Sequence, residues 1–383
     1  MANDKLSAEW RVIGETVPGA THLRAGIPNQ DAILFLRESS RSLPIVMSMS
    51  DGHGSPKCFR SHRGSNYAVK KAAVLFGEFL GERRGKFDLS EIESNKDYLA
   101  GEFLKRWREA VEADLKKEPF SEDEFKNLEK KADAKARKLV EENPLLAYGA
   151  TSLTIALEED FAIYMQLGDG DILNVSSAGE VTKPLPEDDR LLANETTSLC
   201  LPKAEKDMRF LVQKFDGKEI PAMILLSTDG YLNSFSSEAG FFQAGTDILQ
   251  MLAEEKGFEA VNDNLKAWLE EATQMGSGDD CTVGIIYRPD ALKKPESAAQ
   301  SETVSAESIS TDPQTGEKTV EIPEALLPSL TENQPEDPED VTVTITIKKD
   351  KSKSSNKPVV TVKKNEQEKA KNADGNSDNQ KTK

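Results

Sequence analysis

Short runs with period-two patterning and many β-branched or aromatic residues recur at positions 10–17, 31–36, 45–49, 152–157, 161–167, 172–175, 210–215, 223–227 and 282–287. Each predicts a strand with at least one buried face. Three residues separate the run ending at Leu157 from that starting at Phe161, and GDGD separates Leu167 from Ile172. Connections this short predict antiparallel neighbours, because a parallel crossover needs about a dozen residues or more.

A helical period takes over between these runs. Ala68, Ala72, Leu75, Phe76, Phe79 and Leu80 share one face, and Leu99, Phe103, Trp107 and Val111 share another. Phe125, Leu128, Ala132, Ala136 and Leu139 continue the pattern until Asn143-Pro144 stops it. Further helices are predicted over 244–255 and 259–273. The charged stretch 90–143 lies between two groups of strands, and its polar face reads as solvated. Many strands with a few grouped helices make an α+β layered domain spanning residues 1–290.

Residues 291–383 differ in kind. They contain no Phe, Trp, Tyr, Cys or His and are rich in Ser, Thr, Pro, Glu, Lys and Asn, so they read as a disordered low-complexity tail. Within it only VTVTITIKK, at 341–349, alternates like a strand. The formal net charge is −18, which argues against a nucleic-acid partner, since phosphate backbones need a concentrated basic face. Three scattered cysteines, Cys58, Cys200 and Cys281, suit a reducing compartment. With no apolar leader and no bilayer-length apolar stretch, the expectation is a cytoplasmic protein, monomeric and without membrane contact.

The candidate chemistry lies where strand-like runs end. PIVMSMSDGHG ends in Asp51, FAIYMQLGDGD in Asp169 and Asp171, AMILLSTDG in Asp229, and MGSGDDCTVGII carries Asp279 and Asp280. A buried strand delivers its last side chain to a sheet edge, and a neighbouring glycine lets the backbone turn there. Carboxylates gathered this way repel unless a cation neutralises them, so the pattern points to hard divalent metals. A calcium loop is the rival for 169–180, with Asp169, Asp171 and Glu180 at the first, third and last ligand positions. Leu173 and Asn174 break that loop's pattern. Asp171 and Asp280 serve either as supports for ligands or as turn caps. His22 and His62 carry no spacing signal and read as surface or packing residues.

NQDA, SDGHG, GATS with LGDGD, LLSTDG and GSGDDCTV follow one another in an order that resembles the metal-dependent protein phosphatases, the type-2C or PPM family, and its bacterial members in particular. The resemblance runs from about residue 10 to residue 288. It implies a central antiparallel β-sandwich flanked by helices on both outer faces, a four-layer αββα fold. It implies a binuclear Mn²⁺ or Mg²⁺ site with a weaker third ion. By match of position, Asp51 bridges both metals and the Gly52 carbonyl is a ligand. Asp229 and Asp279 close the first metal's shell, Asp169 helps hold the third ion, and His53 protonates the leaving alkoxide.

Two departures matter. Gln30-Asp31 stands where many members carry Glu-Asp, leaving Asp31 as the charged candidate for the second metal. Gly26 stands where many members place a phosphate-binding arginine, so Arg24 and Arg60, with Arg63, become the candidates for that role. The implied activity is hydrolysis of phosphoserine and phosphothreonine in proteins, opposing a Ser/Thr kinase. A phosphoprotein-binding module of the same fold, weakly active or inactive, is the alternative, and a small phosphate ester is a further substrate class. Residues 176–208 are expected to form a flap beside the cleft. Truncation after Arg288 is expected to leave catalysis nearly intact in an assay with a chromogenic aryl phosphate; a large loss would make the tail part of the folded enzyme.

Overall fold

The computed structural model describes residues 9–37, 43–82, 88–186, 197–215 and 220–292, and four short strands beyond them. The chain divides into two units, Met1–Gln300 and Ser301–Lys383. In the first unit, one sheet has the order β1 (Arg11–Val17), β10 (Cys281–Tyr287), β9 (Met223–Ser227), β6 (Asp171–Val175), β7 (Val181–Thr182). The other has the order β2 (Ala32–Arg37), β3 (Ile45–Ser50), β4 (Ser152–Leu157), β5 (Phe161–Leu167), β8 (Arg209–Lys214). Every pairing in both is antiparallel.

Alternation along each strand sorts side chains into three apolar clusters. Ile45, Met47 and Met49 of β3 meet Ile224 and Leu226 of β9 and Ile286 of β10 between the sheets. Val46 points the other way, with Ala156 and Ile163, into a cluster with helices α2 (Ser61–Glu82), α4 (Lys96–Lys117), α5 (Glu122–Lys131) and α6 (Ala134–Glu142). On the far side Leu173, Leu225 and Ile285 pack with α8 (Glu238–Leu252) and α9 (Gly257–Met275). The result is the four-layer α+β sandwich expected from the sequence. Gly14 and Gly284 face each other across β1 and β10, and a Cβ on Gly284 would lie 2.4 Å from Met47 Sδ and 3.0 Å from Ile33 Cδ1. The two layers therefore approach over a bare patch of backbone.

Two expectations about connectivity are corrected. The GDGD segment does not join neighbours: β5 pairs with β4 and β8, whereas β6 pairs with β9 and β7. The chain passes from one sheet to the other through Gly168, at φ 101°, and Gly170, whose Cβ would strike Ser227 O at 2.7 Å. Loop length alone cannot distinguish a hairpin from such a corner. The helical run from Phe125 to Leu139 is two helices, because Asp133 accepts a hydrogen bond from Ala136 N and starts α6 afresh. Leu139 is consequently exposed and Val140 buried.

Part of the predicted flap, 187–196, lies outside the described residues, as does most of 291–383. In the second unit β11 (Ile309–Thr311) pairs with β12 (Lys318–Val320), and β13 (Thr344–Lys348) with β14 (Val359–Lys363). No helix among the described residues is long and apolar enough to cross a membrane. Gly284→Val is expected to lower unfolding free energy by roughly 1–3 kcal/mol through overpacking against Met47 and Ile33. Adding Met47→Ala should restore part of that loss in urea titrations.

Candidate metal centre

Each aspartate of the sequence motifs is held by its own local device. Asp51 leaves β3 and is clamped by Thr151, whose Oγ1 accepts from Asp51 N at 2.9 Å and whose N donates to Asp51 O at 2.8 Å. Gly52 bridges to Ala150, and His53 N donates to Gly149 O at 3.1 Å. A Cβ on Gly52 would sit 2.6 Å from Gln30 O, so only glycine lets the DGHG and NQDA segments touch. Asp229 opens the one-turn helix α7 (Asp229–Leu232), and its Oδ2 accepts from Asn233 Nδ2 at 3.1 Å.

Asp31 is buried. Its Oδ2 accepts from Thr228 Oγ1 at 2.8 Å and Thr282 Oγ1 at 2.7 Å, while its buried Oδ1 has no hydrogen-bond partner. Asn29 fixes the approach, accepting from Asp31 N at 2.9 Å and donating to Thr16 Oγ1 at 2.9 Å. Gln30 turns its amide nitrogen to Ser61 Oγ and leaves Oε1 buried and unpaired.

The electrostatics tie these positions together. Burial, then repulsion from Asp31, Asp229 and Asp279, pushes the Asp51 carboxyl well above the ordinary range. Burial and then Asp280 do the same to Asp31, with Asp229 adding to it against the two threonine hydroxyls. Asp229 is raised by burial and further by Asp169 and Asp279, and it shares a hydrogen bond with the Asp51 carboxyl. Burial lowers the pKa of His53, and the charge of Asp169 pulls it back up. Asp31, Asp51, Asp169, Asp229 and Asp279, drawn from five separate segments, thus lie within electrostatic reach of one another, with His53 beside Asp169.

A pair of hard divalent cations fits this donor set. Two carboxyls in hydrogen-bond contact must share a proton or a cation, and the unpaired Asp31 Oδ1 and Gln30 Oε1 are buried oxygens of the kind such ions coordinate.

Other sequence candidates fall elsewhere. Arg60, expected to bind phosphate, is corrected to a structural role. Its side chain is 2% exposed and donates to Glu124 through Nε at 2.7 Å and Nη2 at 3.0 Å, to Glu118 O at 2.6 Å, to Tyr148 Oη at 2.9 Å and to Pro119 O at 3.2 Å. Its fork is consumed by the protein, and its cation lies 4.8 Å from the Phe120 ring centroid. Arg63 is likewise paired, with Asp114 and Glu118. Arg24 is exposed at the end of α1 (Ala20–Ala25). Asp171 begins β6 and pairs with Lys183 at 2.9 Å, so 169–180 is a corner, strand β6 and its turn, and not a calcium loop.

Asp280 is neither a cap nor idle: it accepts from Gly19 N at 2.6 Å, Gln30 N at 2.7 Å and His22 Nδ1 at 2.9 Å. His22, read from the sequence as a surface or packing residue, belongs to this cluster: His22, Asp279 and Asp280 bring ligand atoms within 4.8 Å of one another. The threonines adjoining the motif aspartates, Thr228 and Thr282, were equally silent in the sequence. Their only signal is adjacency to STDG and DDC.

A family model described as Protein phosphatase 2C matches residues 18–270. No curated protein matches the chain. Among solved structures, the serine/threonine phosphatase Stp1 from Staphylococcus aureus is 13% identical with a TM-score of 0.46, over 75% of this chain and 98% of that one. The Mycobacterium tuberculosis serine/threonine phosphatase PstP/Ppp is 16% identical with a TM-score of 0.43, over 73% and 98%. These likenesses are weak, and the architecture rests on the sheets and helices themselves. Arg60→Ala is expected to destabilise the fold by about 3 kcal/mol, because it strands Glu124 and Tyr148. Urea titration should register that loss, while the KM for a phosphorylated substrate should be unchanged.

Proposed function

The chain belongs to the protein phosphatase 2C family, and on that premise we propose that it is a metal-dependent phosphatase acting on phosphoserine and phosphothreonine side chains of proteins. The observation that carries this reading is the meeting of five aspartates from five segments beside a histidine, with burial and neighbouring carboxylates raising three of them. Phosphate monoesters hydrolyse extremely slowly unaided, and the cleft concentrates the groups that such a reaction needs.

Asp51, the Gly52 carbonyl, Asp229, Asp279 and Asp31 would hold two Mn²⁺ or Mg²⁺ ions, and Asp169 with Asp229 a weaker third. When bound, the ions would acidify water into a nucleophile and neutralise phosphate charge. His53 would pass a proton to the departing serine or threonine oxygen. That oxygen is a poor leaving group; burial lowers the pKa of His53, and the charge of Asp169 opposes that shift only in part. With Arg60 and Arg63 committed within the protein, Arg24 is the remaining candidate for orienting phosphate. Substrates would be phosphorylated by a Ser/Thr kinase that this activity opposes.

Full-length protein is expected to hydrolyse phosphoserine and phosphothreonine peptides in Mn²⁺ and to stop when a chelator is added. Asp51→Asn and Asp229→Asn should each lose on the order of 100-fold or more. Inactivity of the native chain across Mn²⁺ and Mg²⁺ concentrations would leave a phosphoprotein-recognition module. Turnover of aryl phosphate without turnover of phosphopeptides would reassign the substrate to a small ester.

A further inference from the structure

His22 lies on α1, far in sequence from the DGHG and STDG motifs, yet its ring reaches the proposed centre. Its Nδ1 is 2.9 Å from Asp280 Oδ1, and its Nε2 is 3.6 Å from Asp279 Oδ1. Asp280 already accepts the Gly19 and Gln30 backbone N–H groups on Oδ1 and Oδ2 respectively, so the imidazole donates to it through Nδ1. The tautomer is thereby fixed and Nε2 is aimed at Asp279. A separation of 3.6 Å is longer than a direct hydrogen bond, and an Nε2 left as acceptor reaches the Asp279 carboxylate through one water that donates to both.

Asp279 needs such a restraint. Its side chain is 52% exposed, against 14% for His22, and an exposed carboxylate otherwise samples several rotamers at an entropic cost to any ligand that must order it. Asp279 Oδ1 also accepts from Asp280 N at 2.8 Å. Two restraints thus converge on one oxygen.

The helix carrying His22 is itself locked to this loop. Thr21 donates to Gly278 O through both N, at 2.9 Å, and Oγ1, at 2.6 Å. Ala20 N donates to Thr273 Oγ1 at 2.9 Å, and that hydroxyl donates to Asp279 O at 2.7 Å. A Cβ on Gly19 would fall 2.6 Å from the Asp279 carbonyl carbon. Helix α1 and the 278–280 loop behave as one block.

We infer that His22 is a positioning residue for the proposed centre: braced by Asp280, it holds Asp279 through Oδ1 and leaves Oδ2 as the oxygen offered to a metal ion. Because Asp280 commits both oxygens to backbone N–H donors, the trio is a brace and not an additional ion site. Outer partners of this kind orient ligands and set their affinity. The inference rests on the reading of Asp279 as a metal ligand.

The test is calorimetric titration of full-length protein with Mn²⁺ alone, comparing the native chain with His22→Ala, His22→Gln and Asp279→Asn. Both His22 variants are expected to bind Mn²⁺ about 10-fold more weakly. Their metal-free melting temperatures should match the native one, and kcat on a phosphopeptide should recover at saturating Mn²⁺ while the half-saturating Mn²⁺ concentration stays raised. Glutamine can keep the contact with Asp280 but cannot also present a second nitrogen to Asp279, so it should not rescue. Equal Mn²⁺ affinity in native and His22 variants, with a clear loss in Asp279→Asn, would overturn this inference alone. So would a loss in His22→Ala that tracks a lower melting temperature and is restored by His22→Gln. A native chain that takes up no Mn²⁺ would overturn the metal reading beneath it as well.

Discussion

Mutual repulsion among carboxylates in one cleft is the constraint around which the first unit is arranged. Asp31, Asp51 and Asp229 are each pushed toward the protonated form, first by burial and then by neighbouring carboxylates. Left to themselves such groups would swell the cleft or abandon it. The surrounding framework prevents this with neutral and donor groups. Two threonine hydroxyls restrain Asp31, a threonine clamps the backbone of Asp51, and two backbone N–H groups with an imidazole restrain Asp280. Stability is thereby spent to keep negative charge concentrated where a cation can use it.

The architecture supplies the rigidity for this. Both sheets end at the cleft, and the segments leaving them touch backbone to backbone. Gly52 lies against Gln30 O, and a Cβ on Gly230 would come within 2.0 Å of Asp280 O. Beneath His53 the exit of the DGHG loop is bolted down from the helical side. Arg60 N donates to Ala147 O, Trp107 Nε1 donates to Gly64 O, and the Arg60 guanidinium ties α5 to Tyr148. The charged insertion between β3 and β4 is therefore not only a solvated face, because its helices hold the histidine loop in place.

Much of this was legible along the chain, for identifiable reasons. Strand runs such as 152–157 and 161–167 coincide with β4 and β5 because each is bounded by polar turns and filled with residues that pack on a pleated surface. The face of α2 was readable because its apolar residues keep one period for many turns. What escaped were features that depend on three-dimensional neighbours. The corner at 168–170 looks like a hairpin until the partner strands are known, and the break at Asp133 hides inside a continuing apolar rhythm. In the candidate site, Asp51, Asp169, Asp229 and Asp279 announced themselves through nearby glycines, whereas Asp31 was legible only through the resemblance of NQDA to a family motif. Arg60 looked available only because the sequence cannot show Glu124 and Tyr148 waiting for it, and His22 looked idle because its partners lie more than 250 positions away.

The strand order of the first sheet carries a consequence for how the protein is made. β10 is inserted between β1 and β9, pairing Arg11 with Tyr287 and Val283 with Ser227. Until the ribosome has released β10, the last strand of the two five-stranded sheets, β1 has no neighbour in its sheet, and the loop that carries Asp279 and Asp280 has not been delivered. Nascent chains therefore lack the full acidic constellation however well their earlier strands have paired, and assembly is governed by closure between segments separated by almost the whole domain. Completion of the first sheet and of the acidic cluster becomes a single event.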